Sequence, residues 1–342
     1  MKRNDNRTYI IAEAGVNHNG DPLLAKKLIE EAKNAGADCV KFQTFKASQI
    51  VTKTSPKAKY QLEVTDKAES QYEMLKKLEL DFEAYQDLIA YCKELDIDFL
   101  STPYNLEDLD FLEQFDSIST YKIASGQLTE LPFLRAVARK NKTMLVSTGM
   151  GTLADVFNAV EAIKNEGNED IIVLQCTTNY PSKIEDANIL AMQSIKDACG
   201  VRVGYSDHVT NNFACFASVA LGAEVVEKHF TLDKNMEGPD HSCSLTPSEF
   251  KDLVDGIRNI ELSLGSKVKK PSQIELDNSL GMKRGMVIIE PIEAGAVLTK
   301  AHIGFKRPLQ GIPINMLETV IGKKVSKSLA LDESIDYNCI VW

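Results

Sequence analysis

A chain of 342 residues, 44% hydrophobic and 26% charged, has room for one large globular domain and a small second one. Thirty-nine basic residues against forty-nine acidic ones give a formal charge of -10, which speaks against a nucleic-acid partner and means that an anionic ligand must find locally gathered Lys and Arg. No apolar stretch reaches about 18 residues, Glu13 interrupts the first apolar run, and the seven cysteines form no CxxC pair, so neither a membrane segment nor a disulfide framework is predicted and the chain reads as cytoplasmic.

From residue 8 to residue 230, eight short apolar runs end in polar residues, and helix-patterned segments join them. The runs are TYIIAEAG, CVKFQTF, FLSTP, YKIASGQ, LVSTGM, LQCTTNYP, VGYSDH and VVEKHF. Alternating strand and helix favours a parallel sheet, and eight such units favour closure into a (β/α)8 TIM barrel whose strand C-termini share one mouth. Leu24, Leu28, Ala32 and Ala35 trace the apolar stripe of the first helix. Phe82, Tyr85, Leu88, Ile89, Cys92 and Leu95 trace that of a later one, with Asp81 as N-cap. Between Thr44 and Leu80 the second strand takes unusually long to reach its helix. Lys46, Lys53, Lys57 and Lys59 on that excursion suit a lid over an anion; the alternative is a solvated excursion with a short helix at Tyr72–Leu78. The last barrel helix opens with the capping box Thr246-Pro247-Ser248-Glu249. Domain boundaries are therefore expected at 1–262 for the barrel, 263–281 for a polar linker without helical period, and 282–342 for a small β-rich domain.

His208 and His229 stand one barrel unit apart, so they converge if they end adjacent strands. Two imidazoles would leave a divalent metal with open positions for substrate and water. Asp207 is placed to fix a tautomer of His208. His18, His241 and His302 have no matching partner and read as structural or substrate-contacting. Lys41 and Lys122 interrupt apolar strands, where an ammonium is costly unless an anion neutralises it. With Thr102, Ser125 and the Ser147–Thr148–Gly149 segment they would cradle a phosphate and a carboxylate. The alternatives are pairing with barrel carboxylates such as Glu13, or a Schiff-base role for one lysine. Glu13 itself reads as a general acid/base or a counter-charge.

Taken together, the motifs IIAEAGVNHNGD, AGADCVKFQTFKA, FLSTPYN, YKIASGQ, VSTGM, CTTNYP, VGYSDH and VEKHFTLDKNMEGPDHS resemble the sialic acid synthase family. The tail GFKRPLQGIPINMLETVIGKKV is similar to its antifreeze-like (SAF) domain, and the likeness runs through the whole chain in order. The excursion looks like the branch that makes neuraminic or legionaminic acid more than the pseudaminic branch. The resemblance implies a synthase that joins phosphoenolpyruvate to N-acetylmannosamine or 2,4-diacetamido-2,4,6-trideoxymannose. It implies that His208 and His229 bind Mn2+, or Mg2+ or Co2+ in its place, and that Glu13 and Lys122 are catalytic. Lys41, Lys122, Thr102, Ser125 and Ser206 match groups around phosphoenolpyruvate, to which Gln43 and Ser147 are added. Tyr180 and Asp240 match acceptor-sugar contacts, joined by Gln127 and Thr178. Arg307 matches an arginine delivered into a partner's barrel, which implies a domain-swapped homodimer. Two departures bear on the acceptor: Gln127 and Gln175 stand where Glu and His are usual. A Schiff-base barrel aldolase, a synthase of the heptulosonate kind and a non-enzymatic sugar-binding protein are the rival readings.

Overall fold

A computed structural model describes residues 7–342. They fall into two compact units that divide between Gly265 and Ser266.

The first unit holds eight strands: β1 Tyr9–Gly15, β2 Cys39–Thr44, β3 Asp98–Pro103, β4 Thr120–Ile123, β5 Thr143–Ser147, β6 Ile171–Cys176, β7 Arg202–Asp207 and β8 Val225–His229. They form one parallel sheet in the order β3-β2-β1-β8-β7-β6-β5-β4, and β3 packs beside β4 at the seam, as a (β/α)8 barrel requires. Most strands are buried on both faces, which is why they read as nearly continuous apolar runs. Tyr9, Ile11, Cys39, Leu100, Leu145, Ile172, Leu174 and Val225 fill the inside of the barrel, while the opposite faces of the strands pack on the surrounding helices. The chemistry-bearing side chains lie above that apolar plug.

The helix signals hold in detail. Asp81 caps Phe82–Glu94 by accepting from Ala84 N at 2.8 Å, and Thr246 with Glu249 caps Pro247–Leu264 reciprocally. On the first helix, Pro22–Asn34, the buried stripe is Ala25, Leu28, Ile29 and Ala32, with Leu24 only partly covered. The excursion after β2 folds into three short helices, Ala47–Ile50, Gln61–Val64 and Gln71–Lys77, so the short helix expected at Tyr72–Leu78 is present, shifted by one residue.

Asp108, in the first turn of the helix Leu106–Leu112, is fully buried, and neither carboxyl oxygen makes a well-formed hydrogen bond, although the Tyr104 and Asn105 backbone amides lie close enough to pull its pKa down in part. Burial pushes its pKa up to about 7. A raised carboxyl pKa means that the unfolded chain gives up its proton first. The resulting destabilisation is absent below about pH 4, where both states are protonated, and complete above about pH 7. Asp108→Asn is therefore expected to stabilise the fold at pH 8 by roughly 1–3 kcal/mol and to have little effect at pH 4. Urea unfolding at both pH values measures the difference.

The second unit, Ser266–Trp342, has its own core around Met286, Ile288, Leu298, Val325 and Ile335. Its regular sheet is one antiparallel pair, β9 Gly285–Ile288 with β10 Ile303–Lys306, supplemented by isolated bridges. The segment 263–281, expected as a polar linker without helical period, is in good part helical. The preceding helix runs on to Leu264, and Gln273–Met282 forms another helix behind a Ser272–Glu275 capping box. None of its residues is buried, so no apolar stripe marked it; the cap and a hydrogen bond from Leu309 N to Leu280 O hold it to the small unit.

Candidate active site

Strand period and register assemble the site. Side chains two apart on a strand share a face, so Glu227 and His229 of β8, Lys41 and Gln43 of β2, and Ser206 with His208 at the end of β7 all turn inward. Register sets Glu13 beside both Lys41 and His229, and Ser206 beside Glu227. A bulge between Glu13 and Gly15 ends β1, and Gly15 has φ +53° with Glu13 Oε1 and Gln43 Nε2 crowded against the space of a side chain.

The result is a cavity of about 260 Å3. Glu13, Lys41, Gln43, Thr102, Lys122, Ser125, Ser147, Tyr180, Ser206, His208, His229 and Asp240, all expected from sequence, line it together. Four residues that the sequence tied to the acceptor do not. Gln127 is buried in the wall, where its amide donates to the Pro103 and Tyr104 carbonyls at 3.2 Å and its oxygen accepts from Ala124 N. A carboxylate could not make the two donations, so Gln here fixes the end of β3 rather than a sugar. Gln175 likewise donates to Ala187 O at 3.2 Å, away from the lining. Thr178 is half-buried beside Gly149, its covered Oγ1 without a hydrogen-bond partner. Arg307 lies in the second unit, exposed in a shallow groove with Lys283 and Arg284.

Glu227 is the site residue that sequence reasoning missed. Its Oε1 accepts from Lys122 Nζ at 2.9 Å and Ser206 Oγ at 3.0 Å and lies 3.8 Å from Lys41. Lys41 also pairs with Glu13 at 2.6 Å, so two ammoniums face two carboxylates in a buried ring. Burial alone would raise the Glu227 pKa, but Lys122 and Lys41 hold it down at about 2. Burial, helped by the Glu227 charge, pushes Glu13 the other way against the pull of Lys41. One carboxyl thus stays ionised and the other is the ready proton acceptor. Gln43 donates to Glu13 at 3.2 Å and accepts from Tyr104 Oη at 3.2 Å, which fixes the Glu13 carboxyl in place.

His208 and His229 sit with ring centroids 5.2 Å apart, and Tyr180 packs on both, at 4.1 and 5.6 Å. His208 Nδ1 donates to the Thr177 carbonyl at 2.6 Å, leaving Nε2 with its lone pair. His229 Nδ1 is buried with no hydrogen-bond partner, and burial together with His208 holds its pKa well below the ordinary value, so the ring is neutral. Burial works to lower the His208 pKa, but Cys176 and the Thr177 carbonyl raise it, so a metal arriving there would displace a proton. Two imidazoles facing one cavity, one of them oriented by a backbone carbonyl, are what a divalent metal needs, so the pair fits one. Among the described residues no group of three or more His, Cys, Asp or Glu could hold an ion, so substrate and water would complete its shell. Asp207 is not the tautomer partner. It faces away, taking Lys228 Nζ at 2.6 Å, Tyr205 Oη at 2.8 Å and Val209 N at 2.9 Å. His18 and His241 are structural: His18 accepts from Gly20 N, and His241 bonds Thr231 and Asn19.

The lysines of the excursion are not an anion lid. Lys57 is buried against Glu69 at 2.8 Å, and Lys46 lies 3.4 Å from Glu107. What the excursion brings to the cavity is Ile50, Val51, Tyr60, Gln61, Gln71, Met74 and Leu75.

Gly149 N donates to Ser125 Oγ at 3.0 Å, and a Cβ on Gly149 would come within 2.0 Å of Thr178 Oγ1 and 2.8 Å of Ser125 Oγ. Gly149→Ala is therefore expected to displace the Ser125 hydroxyl and lower kcat/KM for the anionic substrate by about 10- to 100-fold, with the melting temperature read alongside.

The NeuB family pattern matches residues 28–269 and the SAF domain pattern residues 283–341. The N,N'-diacetyllegionaminic acid synthase of Campylobacter jejuni is 45% identical over 96% of this chain and 99% of its own length. That of Legionella pneumophila is 41% identical over 94% of this chain and 91% of its own length. Among solved structures, the N-acetylneuraminic acid synthetase of Leptospira borgpetersenii superposes with a TM-score of 0.70 at 29% identity, covering 80% of this chain and 90% of that one.

Proposed function

Because the chain belongs to the NeuB family, we propose that it condenses phosphoenolpyruvate with an N-acylated sugar aldehyde to give a nine-carbon, sialic-type 2-keto acid and phosphate. The observation that carries this reading is the buried ring of Lys41, Lys122, Glu13 and Glu227 beside two imidazoles that face the same cavity. The names of the two bacterial relatives favour 2,4-diacetamido-2,4,6-trideoxymannose over N-acetylmannosamine as acceptor.

His208 and His229 would hold a divalent metal, Mn2+ first and Mg2+ or Co2+ in its place, which when bound polarises the aldehyde oxygen as a Lewis acid. Lys41 and Lys122, with the Thr102, Ser125, Ser147 and Ser206 hydroxyls, hold the carboxylate and phosphate of phosphoenolpyruvate. At an effective dielectric of about 20, each ammonium gains roughly 4 kcal/mol from a unit charge about 4 Å away. The two carboxylates already balance the two lysines, so a multiply charged substrate favours protonation of one of them. Glu13, whose pKa burial raises, is that group. It then holds a proton beside the reacting carbons. Carbon 3 of phosphoenolpyruvate bonds to the aldehyde carbon, water adds at carbon 2, and cleavage of the C–O bond expels phosphate. Asp240 and Tyr180, which line the same cavity, would contact the acceptor sugar.

A Schiff-base aldolase needs an uncharged lysine, whereas Lys41 and Lys122 face carboxylates at 2.6 and 2.9 Å. Phosphate release measured with both substrates, and with each omitted, tests the reading. Release only when both are present is expected; release from phosphoenolpyruvate alone, or borohydride trapping of pyruvate on the protein, contradicts it.

Arg307 is proposed to act in trans from the small unit of a second chain in a homodimer. The irregular stretch 265–272 reaches about 28 Å at most, and the helix behind it adds about 15 Å. A planar guanidinium suits the oxygens of an N-acylated sugar. Mixing Arg307→Ala chains with Glu13→Gln chains, each inactive alone, is expected to restore one working site in about half the dimers. No recovery after verified subunit exchange places Arg307 outside the partner's site.

A further inference from the structure

A second buried charge cluster lies behind the two imidazoles, on the strand faces turned away from the cavity. Lys228 and Asp207 are both almost wholly buried there. Lys228 Nζ donates to Asp207 Oδ2 at 2.6 Å, to the Val209 carbonyl, and to the Asn211 carbonyl at 3.0 Å. Asp207 Oδ1 accepts from Tyr205 Oη and Val209 N, and its Oδ2 takes the Cys215 thiol of the helix Phe213–Ala220 at 3.1 Å.

Register ties this cluster to the cavity. The ladder between β7 and β8 pairs Tyr205 with Val226, Ser206 with Glu227 and Asp207 with Lys228. His208 and His229 come next, past the last of these pairs, so the ladder does not set their separation. Strand β1 holds His229 from its other side, and Ser182 N donates to the His208 carbonyl at 2.8 Å, but neither contact joins the two histidines to each other. Lys228 does. It precedes His229 by one residue, and its ammonium is bonded to acceptors on both sides of His208, at Asp207 before it and at Val209 and Asn211 after it. The His229 ring depends on such support, because its Nδ1 has no hydrogen-bond partner and Asp240 Oδ2 is 4.0 Å away.

We propose that Lys228 and Asp207 are a positioning pair for the divalent metal, setting the separation of His208 and His229 from behind the cavity. The inference rests on the metal reading above. A metal holds its ligand atoms within about 0.2 Å of a set distance, so a small shift of one strand end loosens it. A buried ion pair adds little net stability over an apolar pair of like volume. What this one supplies is geometry, as three directed bonds from a single ammonium.

Calorimetry with Mn2+ alone, and separately with phosphoenolpyruvate alone, reads the pair without turnover. Asp207→Asn/Lys228→Met removes both charges together, so no unpaired charge is buried. Asp207→Glu keeps both charges and lengthens the tie by one methylene. Mn2+ affinity is expected to fall about 10- to 100-fold in each variant, the range for groups that orient a metal's ligands. Phosphoenolpyruvate affinity is expected to stay within about twofold, because Ser206 and Glu227 lie inside the ladder. Circular dichroism establishes that each variant is folded. Unchanged Mn2+ affinity in either folded variant, or an equal loss of both ligands, overturns the proposal and leaves the metal site standing. Failure of both variants to fold makes the pair structural and likewise overturns it. Absence of Mn2+ binding to the unsubstituted protein overturns the metal reading, and the positioning pair with it.

Discussion

Replacing His208 or His229 with alanine is expected to abolish turnover while leaving the barrel folded. Both rings line the cavity, and neither belongs to the apolar core. A bound divalent metal supplies several kcal/mol of charge stabilisation, so loss of either ligand is expected to cost about 10³-fold or more in kcat. Titration calorimetry with Mn2+ on each variant separates this from a packing defect: metal binding is lost together with activity, and the melting temperature of the metal-free protein changes little. Full turnover after exhaustive chelation contradicts the assignment.

Lys122→Ala is expected to do two separable things. It leaves the buried Glu227 carboxylate with only Lys41 at 3.8 Å and the Ser206 hydroxyl, and removing one partner of a buried pair costs about 3–5 kcal/mol. It also removes an ammonium from the phosphoenolpyruvate site. The double variant Lys122→Met/Glu227→Gln is expected to recover most of the lost stability, because no unpaired charge remains. It is not expected to recover phosphoenolpyruvate binding. Urea unfolding and ligand titration on both variants make the comparison. Binding restored along with stability would reduce Lys122 to a structural counter-ion.

The strand ends were legible because chemistry interrupted apolar runs there: Glu13, Lys41, Lys122, His208 and His229 each broke a pattern, and each lines the cavity. Glu227 broke the same pattern in VVEKHF, two residues before His229 and so on the same face, but it was masked by Lys228 beside it. Lys228 turns outward to Asp207, and that pair explains both the buried lysine and why Asp207 is not available to His208. The period of two, applied through Asp207 and His208, contained this answer. Other features depend on tertiary partners that no local pattern carries. The excursion's lysines attracted notice as charges, yet Lys57 is consumed by Glu69, and the cavity is met by the apolar residues between them. Gln127 followed its motif into the site by sequence, but its amide is held by two backbone carbonyls in the wall. The helix Gln273–Met282 carries no apolar stripe, and only its Ser272–Glu275 cap announced it.

The proposed chemistry fixes the fate of one oxygen. Phosphoenolpyruvate labelled with oxygen-18 in the bridge between carbon 2 and phosphorus is incubated with the protein, a divalent metal and the acceptor sugar. The products are then weighed by mass spectrometry. Water addition at carbon 2 followed by C–O cleavage leaves the label in the released phosphate, one per molecule of nine-carbon keto acid formed. Label retained in the keto acid, or phosphate released without a new carbon–carbon bond, contradicts the proposed chemistry.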